Sequence, residues 1–160
     1  MNRRNIVRLA LASVASIGLD AADGAAQQVS DIDAIKATRS AFYAALSAMD
    51  LKAMQAVWAD KPYVVVIGPA SKAVVVGYEN AVTNYWPAVF ARFRQITAST
   101  SAIAQIQTDG KLAWVVGTAS VVGERQDGGA VKYSALFTDI LEKEGGQWRL
   151  ISHHAHRVPE

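Results

Sequence analysis

Residues 95–157, QITASTSAIAQIQTDGKLAWVVGTASVVGERQDGGAVKYSALFTDILEKEGGQWRLISHHAHR, decide the fold. Apolar residues, many of them β-branched or aromatic, run through this stretch, and Asp109-Gly110, Asp127-Gly128-Gly129 and Gly145-Gly146 interrupt it. Glycine at such points provides the positive φ angles of tight hairpins. The stretch therefore reads as a meander of four antiparallel strands, at about 95–107, 111–124, 131–143 and 147–157.

The chain before the meander has a different rhythm. Asp31 to Met49 carries Ile32, Ile35, Phe42, Leu46 and Met49 along one helical stripe, with Ser30 or Asp31 as its cap. Asp50 caps a shorter helix from Leu51 to about Ala59. Tyr63–Ile67 and Ala73–Val76 are β-branched runs on either side of Gly68-Pro69 and read as a short two-strand unit. Helical spacing returns over Gly77–Phe93, where Tyr78, Val82, Trp86 and Phe90 lie four apart. Pro87 lacks an amide donor and should kink that helix near Trp86. The order α-α-β-β-α-β-β-β-β predicts an α+β fold in which three helices cover a long antiparallel sheet.

Composition narrows the function. The 160 residues are 51% hydrophobic and 19% charged, enough apolar material for one core and too little chain for two. A net charge of +2, with no basic patch interleaved with aromatics, argues against a nucleic-acid partner. The absence of cysteine excludes disulfide scaffolds, thiol nucleophiles and cysteine-ligated zinc. No phosphate-cradling glycine loop or nucleophile elbow is present, and no cofactor is expected.

The first 26 residues are expected to be a signal peptide. Arg3, Arg4 and Arg8 precede the apolar run Leu9–Leu19, and Gly24-Ala25-Ala26 offers a small-residue cleavage site. Cleavage would leave residues 27–160 as a periplasmic or secreted domain with no stable membrane association. The alternative is an amphipathic N-terminal helix retained on the protein.

Several local features then resemble one family. Gly77-Tyr78-Glu79 opens the third helix, Tyr85-Trp86 lies within it, Thr138 stands ten residues before Trp148, and the chain closes on Trp148-Arg149-Leu150-Ile151-Ser152-His153-His154. Over Ile32–Val158 the chain resembles the SnoaL-like branch of the nuclear transport factor 2-like superfamily. That resemblance implies a cystatin-like α+β cone, with three helices packed in a curved mixed or antiparallel sheet of about six strands. It also implies a pocket for a small hydrophobic or carbonyl-bearing molecule, and a homodimer formed through the outer sheet face. Members include isomerases, dehydratases and cyclases that work without cofactors, and also transport and assembly domains without chemistry. The fold bounds the function and does not choose it.

Candidate site residues follow from alternation along the strands. Trp148, Leu150, Ser152, His154 and His156 share one face of the last strand, and Trp148 and Leu150 should turn that face inward. His154, which matches the family's closing histidine, is thus the candidate proton shuttle, against the plainer reading of a structural histidine. His153, His154 and His156 do not read as a metal site, because neighbours on a strand point to opposite faces. Asp139 shares a face with Tyr133, Phe137 and Leu141. Facing the cavity, it could act as an acid or base; facing outward, it would pair with Arg149 or Arg125. The likeness of Thr138 to an inward family position favours the outward placement. Asp60, at the end of the second helix, is a third candidate catalytic group or simply a turn residue. Trp58, Tyr63, Tyr85, Trp86, Trp114 and Tyr133, with His156, are candidate ligand contacts, although aromatics at such spacing are more often simply core. A binding or assembly module with the same pocket and no turnover is the competing function.

Overall fold

The computed structural model describes residues 16–159. The expected signal segment falls largely on residues 1–15, outside the described residues. Helix α1 spans Ser16–Ala48 and is continuous through Ala26. Helix α2, Leu51–Ala56, is capped by Asp50, whose side chain accepts from the Ala53 amide at 3.0 Å. Strands β1 (Val65–Ile67) and β2 (Val75–Val76) follow, then a π-helical turn over Glu79–Asn84 and helix α3 over Tyr85–Phe90. The meander comprises β3 (Phe93–Thr108), β4 (Leu112–Arg125), β5 (Ala130–Glu144) and β6 (Gln147–Arg157). The expected order of elements is the observed one.

The six strands form one open sheet in the order β2-β1-β6-β5-β4-β3. All neighbours are antiparallel except β1 and β6, which run parallel, so the sheet is mixed. Its turns use the glycines the sequence offered, with Gly110 at φ +88° and Gly146 at φ +81°. Register shifts in β3 at Thr100/Ala102 and Ile103/Gln105 bend the edge strand over the helices. Gly117 on β4 lies under that bend, where a Cβ would fall 2.2 Å from the Ala102 carbonyl oxygen.

One local expectation is corrected, and another takes a specific form. Asp31 does not cap α1 but lies inside it. Its buried carboxylate accepts from Lys143 Nζ at 2.6 Å and from Trp148 Nε1 at 3.1 Å, fastening the helix to β5 and β6. The Pro87 kink takes the form of the π-helical turn, in which the Tyr85 amide reaches back to the Asn80 carbonyl. A proline ring collides with the carbonyl four residues earlier, and a widened turn is one way to relieve that collision. Ser47 fastens the other end of α1, donating to the Ala98 carbonyl at 3.3 Å and accepting from its amide at 3.0 Å. Ile35, Phe42 and Leu46 of α1 pack with Met54, Trp58, Trp86, Leu141 and Leu150 to form the core between helices and sheet.

Candidate functional site

One bulge decides which histidine faces inward. Opposite Ile140 and Leu141 of β5 stand Ser152 and Leu150 of β6, so Ile151 is an extra residue in the ladder. An inserted residue reverses the in–out alternation beyond it. Trp148 and Leu150 face the core before the bulge; after it His153 and Ala155 do, while His154 and His156 are exposed. The expectation that His154 lines the cavity is therefore corrected: the inward histidine is His153. His156 is likewise removed from the ligand contacts, and its ring lies 6.1 Å from that of His154 on the outer face.

β5 has no such shift within Phe137–Leu141, so Phe137, Asp139 and Leu141 all point inward. This corrects the outward placement of Asp139, and Thr138 is the exposed neighbour. Asp139 is fully buried and sits directly opposite His153, whose Nδ1 lies 2.7 Å from Asp139 Oδ1. Its other oxygen meets the guanidinium of Arg39, from the middle of α1. Arg39 is 1% exposed, covers the Phe137 ring at 3.6 Å, and donates to the Tyr43 hydroxyl at 3.1 Å.

These contacts assign the protons. Arginine remains charged in proteins, so Asp139 serves as a carboxylate acceptor between the guanidinium and a ring N–H. The imidazole then carries its hydrogen on Nδ1 and leaves Nε2 as an acceptor. Burial, followed by the charge of Arg39, holds the His153 pKa down at about 3, so the ring is neutral at pH 7. Phe42 and Trp86 flank it, with ring centroids 4.9 and 6.3 Å away.

His153 contributes to the wall of a cavity of about 330 Å³, bounded by α1, α3, the Gly68–Ser71 turn and the inner face of the meander. Most of its wall is apolar, including Phe42, Leu46, Val89 and Val121. Of the expected ligand contacts, Tyr85, Trp86 and Tyr133 line it. Tyr43 lines it as well. Its hydroxyl accepts from Arg39 and so has its own proton to donate. Burial raises the pKa of both Tyr43 and Tyr133, which keeps them protonated donors. The Tyr85 hydroxyl is 3.3 Å from Ser71 Oγ, and that oxygen accepts from the Gly68 amide at 2.8 Å.

The remaining candidates lie elsewhere. Asp60 is exposed in a separate surface depression with Tyr78 and Arg149. Tyr63 is 51% exposed and donates to Glu142 Oε2 at 2.8 Å. Trp114 is 43% exposed on the outer sheet face. Trp58 is buried against Phe42 and Trp86 but is not part of the cavity wall. Among the described residues, no three His, Asp or Glu side chains gather closely enough to hold a metal ion.

Sequence reasoning missed Arg39 and Tyr43, although a signal was present. Arg39 lies four residues after Ile35 and three before Phe42, so a charge interrupts the apolar stripe of α1. A charge at such a position needs a buried partner.

An α+β cone with helices packed in an open mixed sheet is the class this architecture defines. The SnoaL-like domain model matches residues 35–158, and the chain belongs to that family. No curated protein sequence matches significantly. Among solved structures, the fold is similar to a proposed dehydratase of the NTF2-like family from Streptomyces avermitilis. That match has TM-score 0.71 and 21% identity and covers 82% of this chain and 98% of the other. It is also similar to a proposed calcium/calmodulin-dependent protein kinase type II association domain from Thiobacillus denitrificans, with TM-score 0.64, 26% identity and coverage of 78% and 94%. A hexachlorocyclohexane dehydrochlorinase, LinA type 2, matches with TM-score 0.73 at 11% identity, covering 83% and 88%.

Proposed function

We propose that the chain binds a small apolar, carbonyl-bearing molecule in the cavity and moves a proton on it without a cofactor, in an isomerase- or lyase-type reaction. The observation that carries this reading is the 2.7 Å contact between His153 Nδ1 and Asp139, made by a ring that forms part of the cavity wall. Fixing Nδ1 on a carboxylate orients the imidazole and presents Nε2 as the base. A proton taken from carbon next to a carbonyl would leave charge on the carbonyl oxygen, and Tyr43, polarised by Arg39, is the donor placed to meet it. The dehydratase and dehydrochlorinase named among similar structures are consistent with proton abstraction in such a cone.

A binding or association module is the second reading, and a specific observation favours it. An imidazole held at about 3 is a weak base at neutral pH, since proton transfer is most efficient when the pKa lies near the working pH. The association domain among similar structures points the same way.

Deuterium exchange separates the two. With 2-tetralone in heavy water, the enzyme reading expects exchange beside the carbonyl above the buffer rate, and a loss of about 100-fold in His153→Gln. Tyr43→Phe, a gentler change, should lower the rate without unfolding the protein. Binding of 2-tetralone with exchange at the buffer rate would leave the module reading.

Two further proposals concern context. The chain is exported, a reading supported by the basic, apolar and small-residue order of residues 1–26, and N-terminal sequencing of the native protein tests it. It forms a homodimer through the outer sheet face, a reading supported by the exposed apolar side chains of Trp114, Leu136 and Ile140 there.

A further inference from the structure

The cavity is apolar in its depth and cationic in its charged wall residues. Arg92, Arg125 and Arg157 all line it, and among the described residues the lining contains no aspartate or glutamate. Among the described residues none of the three arginines is in a salt bridge, whereas neighbouring Arg94 is paired with Glu124 at 3.0 Å. The backbone brings two of them together: the Arg92 carbonyl accepts from the Gln126 amide at 3.1 Å, and Phe93 stands opposite Arg125. Arg157 approaches from β6, with its guanidinium carbon 4.2 Å from the centre of the Tyr133 ring. A guanidinium laid on an aromatic face still directs its N–H groups outward in its own plane. All three arginines are exposed, so their charges cost little to maintain, and they give an otherwise greasy cavity a positive rim.

We propose that Arg92, Arg125 and Arg157 form an oxyanion-reading rim, so that the ligand of this cavity is an amphipathic anion: an apolar body inside, with a carboxylate or comparable oxyanion head at the arginines. This rests on the reading of the cavity as a ligand site and adds the chemical class that the site selects. Guanidinium forks bind planar oxyanions through paired N–H donors, and among the described residues the lining offers no carboxylate that would repel them. The apolar wall near Phe42 and Trp86 takes the body and brings it beside His153. A neutral ligand of the same shape would fill the hollow and leave the rim unused.

The full chain is titrated with 4-phenylbutyrate, 4-phenylbutyl phosphate and 4-phenylbutan-1-ol, following tryptophan fluorescence and calorimetry. At least one of the anions should bind about tenfold or more tighter than the alcohol. That preference should shrink as salt is raised. It should also disappear in the triple variant R92Q/R125Q/R157Q while the affinity for the alcohol is kept. The variant's melting temperature should be unchanged because all three side chains are exposed, and R92K/R125K/R157K should keep part of the preference. Carboxylate and phosphate arms report which head group fits. Equal binding of all three probes, or a preference that survives the glutamines, overturns the rim and leaves the cavity reading standing. Binding of none of them ends both.

Discussion

Asp139 and His153 stand directly opposite each other in the β5–β6 ladder, and this pairing joins the buried charge of α1 to the cavity wall. One carboxylate oxygen meets Arg39 and the other holds the imidazole at 2.7 Å. Helix, strand and cavity therefore share a single buried carboxylate. Anything that disturbs Arg39 must be felt at His153, although Arg39 itself is not part of the cavity wall.

Arg39→Met tests that coupling. It leaves Asp139 charged, fully buried and without its cation, and breaking one side of a buried pair costs about 3–5 kcal/mol. Urea titration should register this loss. The double variant Arg39→Met/Asp139→Asn removes the stranded charge and should recover a large part of it. Recovery measures how much of the single-variant effect is unpaired charge rather than lost packing on Phe137.

The depressed pKa of His153 makes stability depend on pH in a defined direction. The unfolded ring takes up a proton near its ordinary value of 6.5, and the folded ring does so only at about 3. Between those values the unfolded chain binds more protons, so acid favours unfolding. The contribution is complete above about pH 6.5 and is lost progressively down to about pH 3. The urea midpoint should fall from pH 7 to pH 5, above the range in which the hydrogen-bonded carboxylates of Asp31, Asp109 and Glu144 titrate. His153→Gln should flatten that slope, and an unchanged slope would mean the ring is not buried neutral.

The fold was legible in the sequence because its signals are local. Hairpin glycines, alternating strands and the Trp86-Pro87 interruption each act within a few residues. The site was legible only in part. Asp139, Tyr85, Trp86 and Tyr133 could be named from their positions, but the histidine was misassigned by one residue. The bulge at Ile151 depends on how β5 and β6 pair, and nothing within QWRLISHHAHR announces it. Trp148 and Leu150 set the alternation correctly for the first half of β6, which made the error in the second half unavoidable from pattern alone. Arg39 was overlooked for the opposite reason: its signal was local, but its partner is a hundred residues away.

Gly117 tests whether the bend in the sheet is essential. A Cβ there would lie 2.2 Å from the Ala102 carbonyl oxygen, 2.8 Å from the Phe137 ring and 3.1 Å from the Ile103 Cα. Two of these neighbours are backbone of the bent edge strand and cannot swing away. Gly117→Ala should therefore destabilise the protein by about 1–3 kcal/mol, as overpacking does, despite the usual gain from replacing glycine in a strand. Thermal unfolding monitored by circular dichroism reads the effect. Gly110→Ala provides a contrast: there a Cβ meets nothing within 4 Å, and the cost comes from the positive φ alone.

The proposed dimer face can be tested without touching the cavity. Trp114 is 43% exposed, stands opposite Ile140, which is 38% exposed, and shares the outer surface with Leu136 at 42%. A second copy covering this face would bury the indole, and a glutamate in its place would have to lose its hydration against apolar side chains. Trp114→Glu should therefore shift the protein from dimer to monomer in sedimentation velocity at equal concentration. Because the side chain at 114 points away from His153 and the cavity, binding of 4-phenylbutan-1-ol should persist in the monomer. Loss of that binding on dissociation would show that the cavity depends on the partner subunit, and a wild-type chain that sediments as a monomer would remove the outer face from any role in self-association.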